Sequence, residues 1–376
     1  MPTRRHVLEV LAAAAPLAAC GPPSGPDPVA AWRNPGAGET DPRRWALAHA
    51  ILAPNPHNRQ PWLVDLPGRD EIVLHVDRTR LLPATDPPNR QIVLGCGAFL
   101  EVLAIAAAQR GLRADVTPWP QGEPQPVLDD RPVAHVRLAA DASVRPDPLF
   151  AQILRRHTNR QPFDLKRPPA EAELAAITAA ASAPLTAGSV TDAARRARLI
   201  AVGGEGFRIE GATTATHMES VRLMRIGREE IARHRDGIAL EGPMIDGLAA
   251  LGLMSHKTLA DPKSFASRSG EDMWLKMLAA TPAFVWLRGP DNGRATQLAA
   301  GRAYARMQLT ATAQGLSLHP WSMTLQEFPE MAGPYRETQA LLDASPAAPL
   351  QMLVRAGRAK PAGPAPRRGL AEHIRA

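Results

Sequence analysis

Two Ala-rich stretches, Gly97 to Gly111 and Gly301 to Gly315, share one glycine spacing, and each is followed by Leu. In the first copy Phe99, Val102, Leu103 and Ala106 fall at i, i+3, i+4 and i+7, which is the single apolar face of a core helix. Gly111 and Gly315 then stand where a helix ends in left-handed backbone. Short apolar runs at Ile72 to Val76, Val133 to Leu138, Phe284 to Leu287 and Gln351 to Arg355 read as strands, set off by frequent Pro breaks. From about Asp192 to Lys276 the pattern is helical, with Met-rich and charged stretches such as Glu219 to Arg235. That segment is long enough to lie across a site as a lid or arm, and a plain helical hairpin packed on the core would read the same way. Beyond Cys20 there is no run of eighteen apolar residues, so no membrane-crossing helix is expected there.

The paired helices raise the question of an internal repeat. A second echo, Asn58-Arg59-Gln60-Pro61-Trp62 against Asn159-Arg160-Gln161-Pro162-Phe163, has an offset of 101 residues where the helices have 204. One simple duplication cannot give both offsets. The alternatives are coincidence between two Ala-rich core helices, or two related halves, residues 42–145 and 146–376, the second carrying the helical arm at about 192–276.

The N-terminus has a different character. Met1 to Leu8 carries Arg4 and Arg5, Val10 to Ala19 is apolar, and Leu17-Ala18-Ala19-Cys20 has the small-residue pattern of a lipobox. Ten apolar residues span only about 15 Å as a helix, so this is an export signal over residues 1–20 and too short for an anchor helix. Thr3-Arg4-Arg5 followed by Val7-Leu8 resembles a twin-arginine signal, with Cys20 the lipidation site. The Pro/Gly-rich residues 21–41 read as a flexible tether. An ordinary first helix is the other reading. Together these predict a folded, exported protein held at a membrane by its lipid alone, facing the periplasm or the cell exterior.

Composition narrows the chemistry. The 376-residue chain has a formal charge of +7, of which +6 lies beyond Cys20, a modest excess carried mostly by scattered Arg and not interleaved with aromatics. That argues against a nucleic-acid groove. There are two cysteines, so no internal disulfide survives acylation of Cys20, and Cys96 reads as a small buried hydrophobe. No H-E-x-x-H or G-x-S-x-G pattern occurs, which sets aside a zinc protease and a serine hydrolase. Gly95-Cys96-Gly97-Ala98-Phe99-Leu100 starts like a dinucleotide fingerprint but ends in Leu.

Ala53-Pro54-Asn55-Pro56-His57-Asn58-Arg59-Gln60-Pro61-Trp62 resembles the A-P-S-x-x-N-x-Q-P-W loop of the nitroreductase superfamily. Side-chain amides both donate and accept, as a flavin ring and ribityl chain require, and the prolines stiffen the loop. Arg155-Arg156-His157-Thr158-Asn159-Arg160-Gln161-Pro162-Phe163 resembles the segment with which such proteins grip an FMN phosphate, with His157 where Ser is usual. A solvated basic helix end is the alternative. Arg355-Ala356-Gly357-Arg358-Ala359 and Pro366-Arg367-Arg368-Gly369-Leu370-Ala371-Glu372 resemble the family's closing motifs, and a basic tail is again the alternative. Gly301 to Leu316 and Ser317-Leu318-His319-Pro320-Trp321 resemble a family helix and the loop after it, although Ala305 and Arg306 replace its Gln-Asn pair, which favours a core role for the helix.

The matches run in family order and are nearest the long-chain Acg-like subgroup. The resemblance implies an α+β nitroreductase fold in which two fused protomer-like halves form a pseudo-dimer, as a monomer or in a higher oligomer. It implies FMN as cofactor, NAD(P)H as a candidate reductant and a small electrophilic acceptor. The flavin contacts it implies are Asn58, Gln60, Arg155, Arg156, Arg160, His319, Pro320, Trp321, Arg367 and Arg368; no metal site and no protein nucleophile are expected. Two rivals remain: a flavin-binding or flavin-sequestering lipoprotein without turnover, and a cofactor-free lipoprotein with the same fold.

Overall fold

The computed structural model describes residues 25–375; the export signal and Cys20 lie outside the described residues. The first helix, α1 (Pro42–Ala50), starts where Asp41 accepts from the Arg43 backbone N–H at 2.8 Å, with Pro42 in the first turn. Strands β1 (Trp62–Asp65) and β2 (Glu71–Val76), the long helix α2 (Arg90–Ala108), then β3 (Leu112–Pro118) and β4 (Ala134–Ala140) follow. They make an antiparallel sheet of order β1-β2-β4-β3. β2 alternates half-buried and buried residues, so one face meets the core and the other stays wetter.

The later part of the chain repeats this order. After α3 (Glu171–Thr178) and β5 (Thr186–Val190) comes a helical arm, then β8 (Ala283–Arg288), the long helix α10 (Arg294–Ala313), β9 (Ser317–Pro320) and β10 (Leu350–Gly357). Their sheet is antiparallel with order β5-β8-β10-β9. Both sheets thus run first, second, fourth, third, with a long helix between the second and third strands. The four expected strands are β2, β4, β8 and β10. β10 is buried along its whole length because other elements cover both of its faces.

The arm, between β5 and β8, comprises α4 (Ala193–Ala212), α5 (Thr214–Leu223), α6 (Gly227–His234), α7 (Pro243–Ala250), α8 (His256–Ala260) and α9 (Phe265–Ala279). It also contains a short parallel pair, β6 (Met224–Ile226) and β7 (Ile238–Leu240). This insertion accounts for the two unequal offsets: Asn58 and Asn159 each precede the first strand of a sheet, whereas Gly97 and Gly301 lie on either side of the arm in chain order. A last helix, α11 (Ala332–Leu341), packs on α4.

α2 and α10 cross at their repeat glycines. A Cβ on Gly97 would stand 2.1 Å from the Leu298 carbonyl oxygen, and one on Gly301 would stand 2.0 Å from that of Leu94. Only a hydrogen fits at either position. Glu101 ties the crossing together by accepting from Arg302 at 2.8 Å and Arg306 at 2.7 Å, and Arg306 also reaches Asp147. Gly111 and Gly315 end their helices at φ 67° and 69°, in the left-handed region that favours glycine.

One sequence expectation changes. The stretch 21–41 was expected to be a loose tether, but from Gly25 onward it packs on the body. Trp32 is buried and donates its indole N–H to the Ala365 carbonyl, and Pro28 accepts from the Arg367 backbone N–H. Apolar Trp32 supplies the contact area that the Pro/Gly content hides. α2 is long and apolar enough to cross a membrane despite Glu101, but 83% of that stretch is buried inside the protein, which makes it the core helix its apolar face predicts. Gly95 and Gly97 sit inside α2, not in a loop before a helix.

The C-terminal tail crosses to the first sheet, where Val64 of β1 donates to His373 and accepts from Arg375. This covers the edge strand. The arm also reaches the first sheet's side. Asp236 accepts from Arg225 at 2.8 and 3.0 Å and from Arg80 at 2.7 Å, with Arg59 at 3.7 Å. Glu219 accepts from the backbone N–H groups of Ala84 and Thr85 and from the Thr85 hydroxyl.

Candidate functional site

Under the arm, between the loop after α1, α2 and the second sheet, lies a cavity of about 550 Å³. The loop after α1 contributes Pro54 to His57; α2 contributes Gln91, Leu94 and Gly95; β9 contributes His319 and Pro320. The arm closes the far side with Phe207, Glu210, Val221, Met224, Leu259 and Trp274 among others. Its walls are mainly apolar, with a few polar groups directed inward, the usual make-up of a small-molecule site.

The loop is held in a costly shape. His57, Asn58 and Gln60 have φ of 46°, 51° and 49°, a region non-glycine residues rarely adopt. Local bonds over-determine it: Asn55 Oδ1 accepts from the Gln60 backbone N–H at 2.7 Å, and Asn55 Nδ2 donates to the Ala53 carbonyl at 3.2 Å. The result turns His57 into the cavity wall. Its Nδ1 has no hydrogen-bond partner among the described residues, and burial pushes the imidazole down to about 4.

The motif amides serve the protein's own backbone. Asn58 Nδ2 donates to the Pro366 carbonyl at 2.9 Å, and its Oδ1 accepts from Arg367. Gln60 Nε2 donates to the Arg235 carbonyl at 2.8 Å, and its Oε1 accepts from the Arg368 N–H at 2.9 Å. Neither lines the cavity. They bind the loop to the arm and to the crossing tail.

The arginines divide sharply. Arg155 is exposed and does not reach the cavity. Arg156 donates to Gln308 and to the Leu52 carbonyl, and Arg367 donates to the carbonyls of Ile51, Leu52 and Ala53. Both lie over the Trp32 ring. Arg368 donates to the Gln60 carbonyl and approaches His373. Arg160 alone of the five lines the cavity, exposed to its interior, and it makes no hydrogen bond or ion pair among the described residues. Among the described residues no carboxylate pairs with Arg156, Arg160 or Arg367, and burial lowers all three below the ordinary guanidinium range, Arg156 to about 10 and Arg367 to about 9. An anion entering beside Arg160 would meet uncompensated positive charge.

His319 and Pro320 line the cavity, whereas Trp321 is fully buried behind them, donating to the Gly203 carbonyl at 3.2 Å. Burial, then the neighbouring Arg355 and Arg160, hold His319 neutral well below its usual range. Arg355 donates to its Nδ1 at 3.1 Å, so the ring proton sits on Nε2. The Trp274 ring lies tilted against His319 and Phe207, with centroids 5.8 and 6.0 Å away. On the arm, Glu210 accepts from Gln326 at 2.8 Å and Ser220 at 3.2 Å, and burial raises its carboxyl above the usual range.

Glu210, Phe207, Trp274 and Tyr304 were not singled out from the sequence. The first three lie on an arm with no local motif, and Tyr304 immediately precedes the Ala305-Arg306 departure. His57 and Thr158 stand inside the two motif strings, flanking residues that sequence reasoning ranked above them. Among the described residues no group of three or more His, Cys, Asp or Glu is placed to hold a metal ion.

Comparison with known proteins identifies the family. Residues 153–358, more than half of the chain, match the nitroreductase family. A Mycobacterium tuberculosis protein, acg, named provisionally as an NAD(P)H nitroreductase, is 29% identical over 350 residues, covering 90% of this chain and 97% of its own. An uncharacterized protein of the same organism is 35% identical over 125 residues, 32% of this chain and 35% of its own length, so the match spans about a third of that relative. Among solved structures, the FMN-dependent nitroreductase NfnB of Mycobacterium smegmatis in complex with NADPH is 20% identical with a TM-score of 0.35, covering 58% of this chain and 93% of that one. This is a weak overall likeness.

Proposed function

We propose, from the premise that the chain belongs to the nitroreductase family, that it is an FMN-binding oxidoreductase-like protein whose flavin lies in the cavity beneath the arm. The observation that carries this reading is the pairing of a mainly apolar cavity of about 550 Å³ with the unpartnered guanidinium of Arg160 on its wall. The residues present fit the group: Arg160 meets a phosphate, the apolar walls meet a tricyclic ring, and His57, His319 and Tyr304 offer polar atoms at its edge. FMN, when bound, would supply hydride-transfer chemistry through its N5 between a nicotinamide and a small electrophilic acceptor. The protein's part is position and electrostatics. Arg160 neutralises phosphate charge, Phe207, Leu259 and Trp274 exclude water, and neutral His319 holds its proton on Nε2.

The halves 42–145 and 146–376 act as a pseudo-dimer in this reading, supported by their matching strand order and by the α2–α10 crossing. Export by the twin-arginine route, lipid attachment at Cys20 and a site facing the periplasm or cell exterior rest on the first twenty residues alone. A second reading, flavin held without turnover, is favoured by the arm itself, which covers the cavity and is fastened through Asp236 and Glu219.

The deciding experiment is an absorption spectrum of the exported protein followed by anaerobic titration with NADPH. Flavin bands that bleach with NADPH and recover on adding an acceptor support the enzyme, and bands that persist support the holding role. A colourless protein that takes up no added FMN overturns both.

A further inference from the structure

Tyr304 lies on α10, is 4% exposed and forms part of the cavity wall. Its hydroxyl oxygen is 2.6 Å from Gln308 Nε2, and Gln308 Oε1 is 2.7 Å from Arg156 Nη1. A guanidinium carries N–H donors and no acceptor, so the order of donation along these three residues has one solution. Arg156 donates to Oε1, which leaves the amide nitrogen facing the phenol, and that nitrogen donates to the phenol oxygen. The phenol's own proton is therefore not used by Gln308.

Tyr304 makes no other hydrogen bond among the described residues. Burial, foremost, holds its hydroxyl above the usual range, so the proton stays on oxygen. Arg156 is itself fixed by the Leu52 carbonyl at 3.0 Å and by the Trp32 ring, so the relay has a rigid origin. A buried donor without an acceptor is costly, and such atoms in native proteins usually have a role.

We propose that Tyr304 presents its O–H to an uncharged acceptor atom on the non-phosphate part of the bound flavin, aimed by the relay from Arg156 through Gln308. The assignment rests on the reading of the cavity as a flavin site. It gives the buried guanidinium of Arg156 a task different from phosphate binding, since this residue orients a donor that touches the ligand.

The test is a titration of wild type, Tyr304→Phe and Gln308→Glu with FMN and with riboflavin, read by quenching of flavin fluorescence and by the position of the visible flavin bands. Tyr304→Phe removes the donor and is expected to weaken both flavins roughly tenfold. Gln308→Glu keeps the hydroxyl and pairs with Arg156, but its carboxylate accepts the phenol proton and turns it from the cavity, so a comparable loss and a shifted visible band are expected. A merely structural relay predicts no loss in this variant. Affinities within twofold of wild type and unmoved bands in the folded variants overturn the proposal, as does a loss confined to FMN. If one variant fails to fold, the other decides. A wild type that quenches neither flavin removes the flavin reading and this assignment with it, whereas normal wild-type binding with unaffected variants removes the assignment alone.

Discussion

Replacing Asp236 by Asn tests how the arm is held closed. Asp236 is 4% exposed and is the shared partner of Arg225, Arg80 and Arg59, at 2.8, 2.7 and 3.7 Å. Arg80 keeps a second carboxylate, Asp77 at 3.2 Å, but Arg225 and Arg59 have no other ion pair among the described residues. The amide preserves shape and removes the charge, leaving buried guanidiniums facing one another, a change that costs about 3–5 kcal/mol. That corresponds to a melting temperature lower by roughly 4–6 °C for a chain this long. The pH dependence carries a definite sign. Burial pushes the Asp236 carboxyl up, but Arg225 and Arg80 outweigh it, and the folded value lies below 3.8. Its contribution is therefore complete above the unfolded value near 3.8 and is lost as pH falls from there. Circular-dichroism melts and amide exchange over residues 224–240 read both effects. Asp70→Asn, which breaks an exposed pair with Arg137, serves as control and leaves the melt unchanged. Were the Asp236→Asn protein to melt within about 2 °C of wild type, with exchange in the arm unchanged, the latch would not be what secures it.

Gly301→Ala places a methyl where the Leu94 carbonyl stands, 2.0 Å from the ideal Cβ, so the helices must separate; a loss of at least roughly 1–3 kcal/mol in chemical unfolding is expected, and unchanged stability would show that the crossing is loose. Arg160→Ala is expected to leave the melting temperature alone, because its guanidinium makes no hydrogen bond among the described residues, while weakening FMN by about tenfold or more and riboflavin little; equal affinity for FMN would place the phosphate elsewhere. Burial, the first cause in each, holds His57 near 4 and His373 near 3, against about 6.5 unfolded. Stability is then flat above pH 7 and falls as pH drops below 6.5, by up to about 1.4 kcal/mol per unit for each histidine. A melting temperature constant from pH 7 to 5 would contradict that burial.

The helices, the four strands and the location of the arm were legible because each rests on a local pattern: the i, i+4 face through Phe99 and Leu103, the apolar runs of β8 and β10, the glycines that end α2 and α10. The site was legible only in part. Asn58 and Gln60 lie in the right loop, but a side-chain amide suits a backbone carbonyl as well as a flavin, and the choice depends on where Pro366 and Arg235 come to rest, more than 170 residues away. His57 was hidden because its role comes from a left-handed φ that no residue type announces. Trp32 reversed the reading of residues 25–41, since one large side chain outweighs the flexibility of the glycines and prolines around it.

The arginines show why the motifs were ambiguous in physical terms. A helix C-terminus and a phosphate offer the same thing to a guanidinium: partly negative oxygens in a cluster that wants several donors at once. Arg367 and Arg156 take the carbonyls of Ile51, Leu52 and Ala53 just past α1, and Arg355 takes those of Met277 and Ala280 at the end of α9. Each brings together parts of the chain that are distant in sequence, so each fixes the frame around the cavity without entering it. A sequence that spends arginine in this way looks richer in phosphate ligands than it is. The property that separates the two uses is donor satisfaction: Arg156, Arg355 and Arg367 each donate to several protein acceptors, whereas Arg160 donates to none among the described residues. Anion binding should therefore follow Arg160, and fold stability should follow the other three.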